Sequence, residues 1–316
     1  MKIITGIPSA GSFLHTVNYI ALGNFDGVHR GHKKIINTMV KDAKNSRAKS
    51  IVVTFNPHPG KILSNKYTKL ITTNHAKAKL ISALNIDVLV FFPFNKKIAE
   101  IQSDEFIKNI LVKIFNPSCV YVGYNYTFGS GGIGTAELLK NYGQKYNFDV
   151  KIFSPVCLNS QPISSTLIRK FIAVGEIYKA KECLGYWPFI HGKVVVGDRL
   201  GRKIGFPTAN LHIQDDILLP PNGVYAGMVS IDNKKYIGVA NIGVRPTVTD
   251  ENNVRVEIHV VNFDGNLYGK SICFSFRNKI RDEKKFKNLE ELKEQIKKDI
   301  EVATTKLSKL ETIFYN

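Results

Sequence analysis

The chain has 316 residues, 44% hydrophobic and 22% charged, the proportions of a soluble globular protein long enough for two cores. It carries 44 Lys and Arg against 26 Asp and Glu, a formal charge of +18, but only nine of the basic residues are Arg and they are scattered. The excess reads as a general attraction for anionic ligands rather than a nucleic-acid-binding stripe, so no nucleic-acid partner is expected. No apolar run approaches the length of a membrane span, and the apolar part of MKIITGIPSAG is short for a secretory signal. Cys119, Cys157, Cys183 and Cys273 form no CxxC pair, which argues against a zinc site or a disulfide framework and predicts a cytoplasmic protein.

Strand-like runs at 19–22, 50–55, 87–91, 119–122 and 150–153 alternate with helical stretches at 33–43, 74–84, 104–114 and 136–146. This is the pattern of βαβ units in a parallel, doubly wound, Rossmann-like α/β domain, whose ligands sit at the carboxyl ends of the strands. The first such end is ALGNFDGVHRGH, Ala21 to His32. A short strand, a Gly-bearing turn (Gly23, Asn24, Phe25) and a helix entrance with His29, Gly31 and His32 bring backbone N–H groups and the positive end of a helix dipole to one point. Both imidazoles can donate to phosphate oxygens and add charge when protonated. The next strand ends in Thr54-Phe55-Asn56-Pro57-His58-Pro59, a loop stiffened by proline from which Asn56 or His58 can reach a nucleotide. Further on, Ser164 is a candidate N-cap. Ser165 and Thr166 then open a helix with free N–H groups and hydroxyls, and Arg169 follows about one turn later.

After Gly185 the texture changes. Runs at 189–196, 224–231, 235–240, 254–263 and 271–276 are β-rich, with Asp232-Asn233 and Asp264-Gly265 as hairpin turns, and predict an antiparallel β-barrel. A last helix carries Leu289, Leu292, Ile296, Ile300, Ala303, Leu307 and Leu310. This spacing suits packing on the barrel and leaves a homo-oligomer open. The expected domains are 1–185 and 186–316. Early in the second, Gly201, Arg202 and Gly205 suit a phosphate-covering loop. Pro207 precedes Thr208 and Asn210, whose oxygens share a side if the segment is extended and suit Mg²⁺ bridging ATP phosphates. Glu257 alternates with apolar neighbours and shares a strand face with Arg255 and His259.

The run GNFDGVHRGH contains the HxGH signature of nucleotidyltransferases and resembles the N-terminal module of bacterial bifunctional riboflavin kinase/FMN adenylyltransferases. SSTLIR resembles that family's SSTxIR element, Pro207-Thr208-Ala209-Asn210 its PTAN kinase signature, and 122–134 its GxDFxFGxxRxG loop. The motifs stand in family order over nearly the whole chain. The resemblance implies riboflavin, FMN and ATP as substrates and Mg²⁺ as cofactor. It assigns catalysis of adenylyl transfer to His29 and His32, and ATP phosphates to Gly23, Asn24, Phe25, Gly31, Ser164, Ser165, Thr166 and Arg169. Asn56, His58, Asn125, Phe128 and Gly129 become flavin or nucleotide loops. In the kinase half it gives Gly201, Arg202 and Gly205 to ATP, Thr208 and Asn210 to the metal, and the role of general base to Glu257. The segments 222–227 and 241–247 match family turns. The family usually has an acid where Asn56 stands. Asn125 also replaces an acid, and Gly132 an arginine. The alternative these departures raise is a riboflavin kinase with weakened or lost adenylyl transfer.

Overall fold

The computed structural model describes residues 1–9, 11–63, 68–197, 201, 204–232, 234–244 and 254–314. Arg202, Asn233 and the end of the 241–247 turn lie outside the described residues. The chain divides into two compact units, Met1–Ser165 and Thr166–Asn316.

The first unit is built on a parallel sheet of β1 (Lys2–Thr5), β2 (Asn18–Leu22), β3 (Lys49–Asn56), β4 (Val88–Pro93), β5 (Pro117–Gly123) and, after a two-strand hairpin of β6 (Thr127–Phe128) and β7 (Gly134–Thr135), β8 (Asp149–Phe153). Its order is β1-β4-β3-β2-β5-β8. The central strands are apolar on both faces because helices cover both. Ile20, Leu22, Val53, Val90, Phe92, Val120 and Val122 form one core. Ala21, Val52, Leu89, Phe91, Cys119 and Tyr121 form the other. The helices are α1 (Arg30–Asn45), the short α2 (Gly60–Leu63), α3 (Asn74–Ser82), the short α4 (Lys96–Ala99) and α5 (Ser103–Glu105), and α6 (Ala136–Tyr146). Helix α5 runs into a π-helix, Phe106–Phe115. That segment buries Phe106, Ile107, Ile110, Leu111, Ile114 and Phe115, a repeat of four that the wider i→i+5 turn accommodates.

Each predicted strand and helix of this half is present, with ends moved by one to three residues. The edge strand β1 was not predicted. It is four residues long and mostly exposed, so it lacks the apolar run that betrays a buried strand. Strand β2 continues to β3 on one side and has β5 on the other, so the chain changes direction across the sheet between β2 and β5. Their carboxyl ends flank the crevice in which such sheets bind ligands.

A small hairpin of β9 (Cys157–Leu158) and β10 (Gln161–Pro162) ends the first unit. The second opens with α7 (Ser165–Ala173) and α8 (Ile177–Leu184). A closed antiparallel barrel follows, formed by β11 (Phe189–Val195), β12 (Thr208–His212), β13 (Gly223–Ile231), β14 (Lys234–Val244), β15 (Val254–Val260) and β16 (Ser271–Arg281), in the order β11-β12-β15-β14-β13-β16. Tyr225, Phe274 and Phe276 are fully buried in it. Strand β12 was expected only as an extended segment after Pro207. Asp264-Gly265 is not a hairpin turn: β15 pairs with β12 and β14, and β16 with β11 and β13.

The last helix, α9 (Leu289–Phe314), lays Ala303 and Leu307 on Val224, Ala226, Met228 and Val239 of the barrel's outer face. Its apolar stripe is therefore used within the chain. A buried ion pair fastens it: Arg281 Nε and Nη2 donate to the Asp299 carboxylate at 3.0 and 2.9 Å, and Gln295 adds a third donor at 3.0 Å. Asp299 is 2% exposed, so removing its carboxylate leaves a largely buried guanidinium short of its partner. Asp299→Ala should cost about 3 kcal/mol in the second unit. Urea unfolding followed by fluorescence of Trp187, the only tryptophan, reads that unit directly, and an unchanged midpoint would contradict this.

Candidate active sites

Helix α1 begins where β2 ends, and its first turn contains Arg30, His32 and Lys33 with no acid. An acidic residue there would oppose the dipole. Without one, the amino end is left electropositive, a place for an anion. His29 is the N-cap: its Nδ1 accepts the His32 amide at 3.3 Å, which leaves the proton of the neutral ring on Nε2. The two imidazoles stack with centroids 3.5 Å apart, and the edge of His32 meets Phe25 at 5.1 Å. His32 Nδ1 is buried and has no hydrogen-bond partner among the described residues.

The charge expected on these rings is absent. Burial pushes His29 down to about 4, against the upward pull of the Asp26 carboxylate. Burial, then His29 and Lys77, lower His32 well below its ordinary value. Both rings are neutral hydrogen-bond groups at neutral pH.

The turn between β2 and α1 is held from beneath. The Asp26 carboxylate is 1% exposed and accepts from Ile71 N at 3.0 Å, Thr72 N at 3.1 Å and Thr72 Oγ1 at 3.2 Å. Gly27 N donates to Thr72 Oγ1 at 3.1 Å. Thr54 Oγ1 and Lys77 Nζ both donate to the Asn24 carbonyl, at 2.9 and 2.8 Å. Phe25 and Val28 take positive φ, +46° and +36°, a conformation that costs a non-glycine residue about 1–3 kcal/mol and persists only where contacts over-determine it. Ser165 Oγ donates to the Asp26 carbonyl at 2.9 Å, so the serine element of the first unit meets this turn. Ser164 precedes α7, while Thr166 and Arg169 lie on that helix in the second unit.

Several expected ligand residues have other duties. Phe25 is 1% exposed and a wall for His32, and Phe128 is core, packed on Phe106 and Tyr126. His58 Nδ1 accepts the Gly60 amide at 3.0 Å at the start of α2. Asn56 Oδ1 accepts from Asn74 at 2.8 Å. Asn125 is exposed. Gly129 has φ +74°, and a Cβ there would stand 2.9 Å from Ser103 Cα, so the loop requires glycine. Gly23 and Gly31 border the rings of Phe25 and His29 at 3.1 Å from an added Cβ. Asp26, Thr54, Thr72 and Lys77 were missed by the sequence reading. Asp26 lies in the GNFDGVHRGH run and Thr54 opens the 54–59 loop, whereas Thr72 and Lys77 lie outside any quoted motif.

In the barrel, β15 alternates buried Val256, Ile258 and Val260 with half-exposed Arg255, Glu257 and His259. The polar face is the outer one, towards α9. Register pairs Asn210 of β12 and Asn241 of β14 with Glu257 from either side, and directly opposed residues share a face. Thr208 sits two residues from Asn210 on the same side, as the extended reading requires. His259 Nδ1 donates to the Pro207 carbonyl at 2.9 Å and fixes the turn before Thr208. Arg255 Nη1 lies 3.4 Å from Glu257 Oε1. A cavity of about 190 Å³ is lined by Thr208, Asn241, Glu257, His259, Arg281 and Asp299. A smaller one of about 60 Å³ also borders Thr208, together with Pro207, Phe263 and Tyr268. An added Cβ would stand 2.3 Å from the Phe206 carbonyl at Gly201 and 2.1 Å from Asn210 Nδ2 at Gly197, so backbone here lies directly against the PTAN strand. Gly205, with φ +87°, is exposed. The Thr208 hydroxyl and the Asn210 amide oxygen, beside the Glu257 carboxylate, are the hard oxygen set that suits Mg²⁺.

Comparison with known proteins decides the family. The FAD synthetase family model matches residues 14–167 and the riboflavin kinase family model residues 184–307. A relative from Buchnera aphidicola, a bifunctional riboflavin kinase/FMN adenylyltransferase, is 39% identical over 96% of this chain and 97% of its own. The chain belongs to the bifunctional riboflavin kinase/FMN adenylyltransferase family. The protein of that name from Escherichia coli K12 is 34% identical over 95% of this chain and 96% of its own. A solved structure described as a macrolide-efflux protein from Streptococcus pneumoniae superimposes with a TM-score of 0.85 at 31% identity, covering 96% of this chain and 99% of that one. Among the described residues no helix is long and apolar enough to cross a membrane.

Folded His29 stays neutral down to about pH 4, whereas the unfolded residue protonates near 6.5. Between those values the unfolded chain binds more protons, so stability falls as pH drops from 6.5 to 4, by about 3 kcal/mol for this group. NMR titration should place the His29 midpoint near 4, and His29→Asn should lessen the fall in stability of the first unit across that window, leaving the share that comes from His32. A midpoint near 6.5 would contradict the burial argument.

Proposed function

We infer that this chain phosphorylates riboflavin with ATP to give FMN, and then transfers AMP from a second ATP to FMN, giving FAD and pyrophosphate. The observation that carries the reading is that one chain holds both an acid-free helix entrance with paired imidazoles and a Thr-Asn-Glu row on a barrel. We assign adenylyl transfer to residues 1–185 and the kinase to 186–316. The family resemblance covers both halves, and the full-length relatives carry both activities in their names, so the kinase-only alternative is set aside.

In adenylyl transfer an oxygen of the FMN phosphate attacks the α-phosphorus of ATP and the bond to pyrophosphate breaks. That nucleophile is already ionised, so the protein's work is placement and charge stabilisation. His29 Nε2–H, His32 and the electropositive amino end of α1 would stabilise charge on the α-phosphate oxygens. Gly23 and Gly31 keep the approach to backbone open. Ser164 and Ser165 of the same unit take the departing phosphates. Asn56, His58 and the loop through Asn125 and Gly129 border the nucleotide, with Phe128 anchoring that loop in the core.

In the kinase, Glu257 takes the proton of the riboflavin 5′-hydroxyl as it attacks the γ-phosphorus. Glu257 lines the larger cavity, so the isoalloxazine and ribityl chain belong there. We assign ATP to the neighbourhood of Gly201, which lines the same cavity beside Thr208, with Arg202 and Gly205 as further phosphate contacts. Thr208 and Asn210 would hold Mg²⁺, which when bound neutralises phosphate charge between the two substrates. ATP supply and four free cysteines suit the cytoplasm.

Chromatography of products from riboflavin, ATP and Mg²⁺ should show FMN and then FAD. FMN without FAD would restore the kinase-only alternative. His32→Ala should abolish FAD and spare FMN, while Glu257→Ala should stop FMN formation yet convert added FMN to FAD. Loss of both products in either folded variant would refute the two-site assignment. Gly197→Ala, which forces the Asn210 amide aside, should raise the Mg²⁺ requirement of the kinase about tenfold or more and leave FAD formation from FMN unchanged.

A further inference from the structure

Lys77 of α3 is 3% exposed, an unusual place for a lysine. Its Nζ donates to the Asn24 carbonyl at 2.8 Å and lies 3.4 Å from Thr54 Oγ1. The hydroxyl of Thr54, itself inaccessible, donates to the same carbonyl at 2.9 Å. Two donors thus converge on one oxygen at the base of the turn. In a planar trans peptide the C=O of one residue and the N–H of the next point in opposite directions. With the Asn24 carbonyl held down on Thr54 and Lys77, the Phe25 N–H is directed to the opposite side of the turn. Phe25 is also a residue forced to positive φ, at +46°, so this peptide would not hold its orientation unaided.

We propose that Lys77 is a positioning residue for adenylyl transfer: it fixes the Asn24–Phe25 peptide so that the Phe25 N–H is presented to the α-phosphate of the nucleoside triphosphate, and it polarises that amide with an ammonium charge. The charge acts through the peptide rather than by touching the substrate. A cation hydrogen-bonded to the carbonyl strengthens the N–H at the far end of the same dipole. The groups acting on His32 fit this placement, since His29 and Lys77 both disfavour its protonation, while the Asp26 carboxylate acts on His29. The proposal rests on the adenylyltransferase reading of the first unit.

The test uses the full chain with Lys77→Met and Lys77→Gln, measuring FMN formation from riboflavin and FAD formation from added FMN. Wild-type protein that makes no FAD would refute the underlying reading whatever the variants do. With wild-type FAD formation in hand, Lys77→Met should lower its kcat by about 100-fold, change the KM for FMN by less than about threefold, and leave the kinase untouched. Lys77→Gln keeps a donor without the charge and should recover about tenfold of that loss. The NMR titration midpoint of His32 should rise in both variants, as removal of the Lys77 charge requires. Turnover of Lys77→Met within about threefold of wild type overturns the proposal, and so does an unmoved His32 midpoint. Should Lys77→Met fail to fold, Lys77→Gln decides: a tenfold loss with a raised His32 midpoint sustains the proposal, and wild-type turnover overturns it.

Discussion

The amino end of α1 is a positive pole with nothing of its own to oppose it, and the first unit is arranged around that fact. Sixteen aligned peptides converge on a first turn that carries Arg30, His32 and Lys33 and no carboxylate. The nearest acid, Asp26, is turned away and consumed by the amides of Ile71 and Thr72. A helix so built is less stable alone than one with an acidic first turn, and regains the difference when a phosphate arrives. The positive-φ residues Phe25 and Val28 add to the cost, and the bonds from Thr72, Thr54 and Lys77 keep the turn from relaxing.

The second unit meets a related demand through strand pairing. A phosphoryl acceptor must be deprotonated beside a cation site, so a carboxylate and hard oxygen donors have to lie within a few ångströms. Antiparallel register supplies this directly by pairing Asn210 and Asn241 with Glu257. The closed barrel makes the register rigid, because no strand can slip without exposing Val256, Ile258 or Phe274. The chemistry sits on the outer face, where α9 and the Arg281–Asp299 pair close one side of the cavity. A helix that packs on a barrel thereby also forms a wall of the cavity that Glu257 lines.

Much of this was legible in the residues. Alternating apolar runs located the inner strands of the sheet, because burial on both faces leaves a continuous hydrophobic signature. The Gly-bearing turn into His29 and His32 marked the entrance of α1, an acid-free helix end that suits an anion. The edge strand β1 was invisible because it is short and mostly exposed, and β12 because its polar face carries the site residues. Phe25, Phe128 and His58 stand in the quoted motifs, and what the motifs do not tell is that these side chains also brace the turn and the loops. Lys77 gave no signal at all. A lysine in an amphipathic helix reads as solvated, and only the packing of α3 beneath the turn makes it a buried cation.

The neutrality of the two histidines bears on how the first site divides its binding energy. If both imidazoles were charged, stacked 3.5 Å apart, they would repel each other in the free protein and hold the ground-state triphosphate tightly. Uniform tightening of that kind lowers KM without raising kcat. Neutral rings, the His29 proton fixed on Nε2 by the N-cap bond, with cationic side chains alongside, would bind a resting phosphate only moderately. As charge accumulates on the α-phosphate oxygens and the leaving pyrophosphate, the same N–H donors strengthen, and the pull of that charge on protonation grows in step. On the adenylyltransferase reading proposed for the first unit, burial, which removes the charge from His29 and His32 in the free chain, would therefore reserve their largest contribution for the transition state.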